Sequence, residues 1–256
     1  MKIKKIKKLS NSKYKIELDK GQKIILYDDV ILKNNLLFNQ ELTSEILNKI
    51  NKDNKYYDLY NKCVSQISRR LRSENEINQY LTKNMASEKE KHEIIENLKK
   101  LNLINDKTFA KAFISDKVRL SNLGPHRIKE ELIDHEIDDK VIEEEISNIN
   151  NDEIKTKLKK IVLKKVSNNH KHSRYMMKQK VISNMLKDGY DYEMILDILN
   201  GIDINNNVLE KEFDKLYNQL LKKDQADIYK VIKNKLFKKG FSNEEIIDMI
   251  NQKTNN

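Results

Sequence analysis

The chain has 256 residues, of which 35% are charged, with no Trp, five Gly, one Pro and a formal net charge of +10. That balance argues against one thick globular core and favours several small helical modules, each with a thin apolar face and a wide wet one. The charge points to an anionic partner, nucleic acid being the usual one, although lysine-rich residue usage alone would give the same total.

A single cysteine, Cys63, excludes an internal disulfide framework and fits a reducing compartment. The Lys-rich start is followed by alternation and not by the apolar core of a signal peptide, and no run approaches the roughly 18 apolar residues of a membrane helix. The cytoplasm is therefore the expected location.

In chain order, residues 1–52 form the first predicted unit. Tyr14, Ile16 and Leu18 alternate with polar residues, Asp19-Lys20-Gly21 signals a turn, and residues 22–27 read as a returning strand. A β-element of two or three strands is expected, followed by short helices over 28–35 and 43–51, the second capped by Thr43.

From residue 53 the chain reads as helix, and it repeats. In LIDHEIDDKVIEEEI (132–146), MLKDGYDYEMILDIL (185–199) and LFKKGFSNEEIIDMI (236–250), an apolar residue (Ile137, Tyr190, Phe241) directly precedes a helix cap (Asp138, Asp191, Ser242). Such a residue can staple onto the first turn of the helix it precedes. The caps recur every 51 to 53 residues, and the same interval back from Asp138 reaches Ser87, which opens a capping box with Glu90.

Four three-helix units follow: 53–104, 105–150, 151–203 and 204–256. Their predicted helices span 53–71, 74–83 and 88–101; 107–120, 125–135 and 139–148; 153–167, 173–187 and 192–200; 208–222, 225–239 and 243–251. The expected fold is mainly α, with tandem repeats stacked into an elongated solenoid so that neighbours bury each other's apolar faces.

Each glycine has a structural task. Gly21 serves the hairpin; Gly189, Gly201 and Gly240 sit where helices end in a left-handed residue; Gly124 precedes Pro125 in a first helical turn. None remains for a phosphate-cradling loop, so nucleotide hydrolysis is not expected. His170 and His172 lie in a Lys-rich loop without carboxylate or thiol neighbours in sequence, which does not suggest zinc. Cys63 reads as a buried, inert thiol. No catalytic set, metal or cofactor is expected.

Charge is segregated. From Lys155 to Lys180 there are ten cations and no acid; from Ile128 to Glu153 eleven acids face only Lys129 and Lys140. Lys159, Lys160, Lys164, Lys165, Arg174 and Lys178 are candidate anion-binding residues, whereas Glu143, Glu144 and Glu145 are candidates for a protein-contact face. Lys230, Lys233, Lys235, Lys238 and Lys239 add to the basic side.

Two stretches carry a family signature. RRLRSENEINQYL (69–81) resembles the first-repeat pattern of the RecX family, and residues 102–132 resemble its second through Asp106, Phe109, Ala110, Phe113, Gly124, Ile128, Glu131 and Leu132. Asp28-Asp29-Val30 and Glu41-Leu42-Thr43 resemble the β-containing extension of its Gram-positive members. Where the family often has Lys-Gly after a second helix, this chain has Lys83-Asn84 and His135-Glu136, a departure expected to soften the turns only.

The resemblance implies tandem three-helix repeats and a monomeric regulator, not an enzyme. Such a regulator would lodge in the groove of the RecA filament on DNA, with single-stranded DNA a possible further contact, and oppose filament growth or strand exchange. It adds Arg70, Arg72, Arg119 and Arg127 as exposed basic positions within matching motifs. Two alternatives stay open: a freestanding helical DNA-binding protein, and a peptide-binding helical scaffold.

Overall fold

A computed structural model of the chain describes residues 1–9, 12–38, 40–168, 171–202, 208–221 and 227–254. It opens with an antiparallel three-stranded meander: β1 (Ile3–Lys8), β2 (Lys13–Leu18) and β3 (Lys23–Tyr27). Ile3 pairs with Leu18, Ile6 with Ile16, and Ile16 with Ile24. Alternation places Ile3, Ile16, Leu18 and Leu26 on one face, where they bury against Val30, Leu36, Leu42 and Ile50. Gly21 turns β2 into β3 with φ +78°, as its position implies.

Helix α1 spans Asp28–Lys33 and α2 spans Ser44–Ile67. The expected pair of helices over 43–51 and 53–71 is thus one continuous helix, and it ends earlier. Nothing between Asn51 and Asp53 breaks it, and Asp53 lies within it. The Asp53 carboxylate accepts from Lys33 Nζ at 2.9 Å and Asn34 Nδ2 at 3.0 Å, fastening the end of α1. Thr43 does cap α2, accepting from the Ile46 amide at 3.2 Å.

Eleven further helices follow among the described residues: α3 (Glu74–Lys83), α4 (Glu88–Lys100), α5 (Asp106–Leu120), α6 (Pro125–Asp134), α7 (Asp139–Ser147), α8 (Asn151–Ser167), α9 (Arg174–Lys187), α10 (Tyr192–Asn200), α11 (Val208–Leu221), α12 (Ile228–Lys238) and α13 (Asn243–Thr254). The fold is mainly α, with three-helix repeats behind a small sheet. The predicted start at Gln225 and the predicted end at Lys222 lie outside the described residues.

The chain divides into two compact bodies. One comprises Met1–Ala110 with His135–Ile137; the other comprises Lys111–Asp134 with Asp138–Asn256.

All four periodic caps are made. Ser87 and Glu90 close a reciprocal box, as do Ser242 and Glu245; Asp138 accepts from the Lys140 amide, and Asp191 from those of Glu193 and Met194. Ile137, Tyr190 and Phe241, just before the caps, are buried.

The residue two places before each cap is left-handed: Met85 at φ +57°, Glu136 at +55°, Gly189 at +85° and Gly240 at +83°. The turn conformation therefore persists where Gly is missing, and Met85 and Glu136 carry its strain. Gly201 departs from expectation. It lies at φ −81°, in the right-handed region, so any residue could adopt that backbone.

In the first body Leu59, Cys63, Ile77, Leu81, Ile94 and Leu98 form one core. Burial pushes the Cys63 thiol up to about 12, which keeps it protonated and unreactive. In the second body Phe213, Leu216, Ile232, Leu236 and Phe241 form another. Beside that core, Lys239 pairs with the buried Glu212.

Candidate interaction surfaces

The basic surface of the second body lies on α8, α9 and α12. In α8, Ile154, Leu158 and Val162 face the core at four-residue spacing. That places Lys159, Lys160 and Lys164 on the exposed side, while Lys165 is half-buried. Helices α9 and α12 contain no Asp or Glu along their whole lengths, so nothing on either helix neutralises its cations.

Two members of the lysine run are committed to the fold. Lys155 pairs with Asp197 at 2.6 Å. Lys157 donates to the carbonyls of Leu123 at 3.1 Å and Lys117 at 3.5 Å at the end of α5, and burial lowers its pKa. Lys165, Lys171 and Lys180 line a pocket of about 540 Å³ together with Asn168, Asn184, Met177 and Val181.

Arg174 is exposed in the first turn of α9, and Lys178, one turn on, reaches Asn200 Oδ1 at 3.5 Å. His172 is described, but His170 lies outside the described residues, so the His pair is not on view. Among the described residues no group of His, Cys, Asp and Glu could hold a metal ion.

The arginines of the matching motifs divide. Arg119 is exposed. Arg127 is exposed too, but its guanidinium meets Glu130 at 2.5 Å. Arg70 forms a two-pronged pair with Glu76, with Nη1 to Oε2 at 3.0 Å and Nη2 to Oε1 at 2.5 Å. Arg72 corrects the expectation: it is half-buried, donating to Gln66 at 3.1 Å and Glu76 at 3.5 Å.

Glu76 is the hub: its spacing from Ser73 marks it as a capping-box residue, but residue patterning does not show its tie to both arginines. Besides both arginines it accepts from the Ser73 amide at 3.3 Å, closing the capping box of α3. Burial pulls its pKa up, but the hydrogen bonds and charges of Arg70 and Arg72 and the Ser73 amide outweigh this and hold it below the usual value. The arginine motif of the first repeat is thus spent on its own helix start.

The acidic face is smaller than the sequence implies. Glu143 and Glu144 are exposed, with Glu143 3.6 Å from Lys129. Glu145 is only 7% exposed, because it falls on the side of α7 that carries the buried Ile142. Glu131 is tied to Lys117 at 2.5 Å. Only Glu143 and Glu144 of the proposed trio can present charge to a partner.

In the first body Asp106 caps across the fold, accepting from the Glu74 amide at 2.9 Å. Burial raises its pKa despite that bond.

Short capped helices in three-helix repeats, two of them (α9 and α12) without Asp or Glu, define a helical-repeat protein. Residues 105–145, spanning α5 to α7, match the family described as RecX, second three-helix domain. Over 253 residues the chain is 31% identical to the regulatory protein RecX of Streptococcus agalactiae serotype V, covering 96% of this chain and 97% of that one. It is 27% identical over 230 residues to that of Oceanobacillus iheyensis, covering 87% and 83%. A crystal structure of regulatory protein RecX shares the fold with a TM-score of 0.66 at 21% identity, over 78% of this chain and 98% of that one. The crystal structure of RecX from Lactobacillus salivarius superposes with a TM-score of 0.55 at 26% identity, over 59% and 98%. The chain belongs to the RecX family of regulatory proteins. No helix among the described residues is long and apolar enough to cross a membrane.

Proposed function

We propose that this protein binds the RecA recombinase filament on DNA and restrains its growth, acting as a regulator in DNA repair and recombination without chemistry of its own. The observation that carries the reading is the relationship to a regulatory protein RecX over nearly the full length of both chains. Charge distribution supports a division of labour. Lys159, Lys160, Lys164 and Arg174 face the nucleic acid, while Glu143 and Glu144 face basic recombinase surface; complementarity of this kind sets orientation and encounter rate more than raw affinity.

The test is retention by RecA filaments assembled on immobilised single-stranded DNA, compared with the same strand bare. The reading expects stronger retention by the filament. Equal retention by both would favour a freestanding DNA-binding protein, a reading that the acid-free helices α9 and α12 also support.

A further inference from the structure

In the second body the first turn of α9 and the end of α12 enclose an open groove of about 670 Å³. Met176 and Phe241 give it an apolar lining, Arg174 and Lys178 bring positive charge, and Tyr175 and Phe237 contribute aromatic rings. Those two rings stay 66% and 63% exposed. Apolar ring surface of that size left in water keeps a hydrophobic cost that folding does not relieve, and its place beside two cations suits an occupant that covers it.

We propose that this groove takes an unpaired base of single-stranded nucleic acid, stacked on Tyr175 or Phe237, with the adjoining phosphate held by Arg174 and Lys178. The proposal rests on the reading that nucleic acid lies against this body, and it adds where a base is gripped. Three observations favour nucleic acid over an apolar peptide.

Both helices that form the groove lack acids entirely, so the potential around the rings is positive along their length. The carboxylate that does line it, Glu245, accepts from the Ser242 amide at 2.8 Å and is held in the α13 cap. Further cations, Lys171 and Lys180, line a separate pocket on another face of α9 and keep the surroundings of that helix positive. A duplex keeps its base faces covered, so the ring surfaces suit a single strand; stacking of this kind tolerates any sequence.

The experiment uses the full-length protein and an oligothymidine carrying one 2-aminopurine, whose fluorescence reports stacking. A strand of equal length with abasic sites serves as comparison. Wild type is expected to bind the strand and change its fluorescence. Replacing Tyr175→Ala with Phe237→Ala should abolish the change and weaken binding roughly five- to 150-fold, yet leave affinity for the abasic strand and helical content unaltered. Exchanging the rings as Tyr175→Phe with Phe237→Tyr should restore both.

An unchanged signal in the alanine pair, or equal loss on the abasic strand, overturns the proposal. So does weakening confined to RecA filaments, which would make the groove a protein site. Failure of the regulator reading is seen separately, as wild type not retained by filaments whatever the state of the rings.

Discussion

Gly124 and Gly189 meet backbone to backbone: the Gly124 amide donates to the Asp188 carbonyl at 2.7 Å, and the Gly189 carbonyl accepts from the His126 amide at 3.1 Å. A methyl on Gly124 would overlap the Gly189 carbonyl, and one on Gly189 would overlap the Arg127 amide. The start of α6 therefore docks into the turn that ends α9. The start of α9 does the same one repeat on, with the Ser173 amide on the Lys239 carbonyl at 3.1 Å and Met176 seated where Gly240 lacks a side chain.

Gly124→Ala and Gly189→Ala should each destabilise the protein by about 2–4 kcal/mol, because the overlapping atoms are backbone and cannot step aside. At Gly189 the left-handed conformation adds about 1 kcal/mol of that. Glu136→Gly, at the equivalent turn, should change stability by no more than about 1 kcal/mol, since relieved strain offsets added chain entropy. Urea midpoints check this, and equal losses at Gly189 and Glu136 would refute it.

Acid should expose Glu76 and Asp106 as opposites. The pKa of Glu76 is depressed in the folded state, so its contribution is complete above the unfolded value and is lost as pH falls through the folded one. Glu76→Gln should cost about 1–3 kcal/mol near neutral pH and flatten the acid limb of the stability curve. Asp106 is raised, so its ionisation opposes folding as pH climbs through that value. Asp106→Asn keeps an acceptor for the Glu74 amide and should leave neutral-pH stability equal or higher. A large loss in Asp106→Asn would show that the charge itself is needed.

Replacing Lys159, Lys160 and Lys164 with Glu should weaken nucleic-acid binding while preserving helicity, since all three point away from the core. If each neutralises one phosphate, the slope of log affinity against log salt should become shallower by about 2–3. A slope unchanged from wild type would make the run an ordinary solvated surface.

Much of this architecture was legible in the sequence because it rests on local chemistry. A cap needs only its own next turn, so Ser87, Asp138, Asp191 and Ser242 could be found by spacing. Where one helix ends and the next begins was not legible between 51 and 53, and the tie of Asp53 to Lys33 and Asn34 exists only once the fold brings α1 beside α2. Charge clustering located the basic helices but not which members stay available. Lys157 is drawn to carbonyls 34 and 40 positions earlier in the chain, and Glu145 turns inward on α7. The Ser73-to-Glu76 spacing marks the capping box, but the tie of Glu76 to two arginines escaped notice because no spacing rule marks such a hub.

Reversing Glu143 and Glu144 to Lys should slow association with RecA filaments without slowing association with bare single-stranded DNA. Glu145, being buried, is left intact in this variant, as charge reversal there would test folding and not contact. Equal effects on both targets would remove the acidic face from the interface.

The most direct test of regulation is the growth rate of RecA filaments on single-stranded DNA as this protein is added at a small fraction of the RecA concentration. The account expects growth to slow with dose, and the Lys159, Lys160 and Lys164 reversal to blunt the effect. Growth that proceeds unchanged at every dose would contradict it.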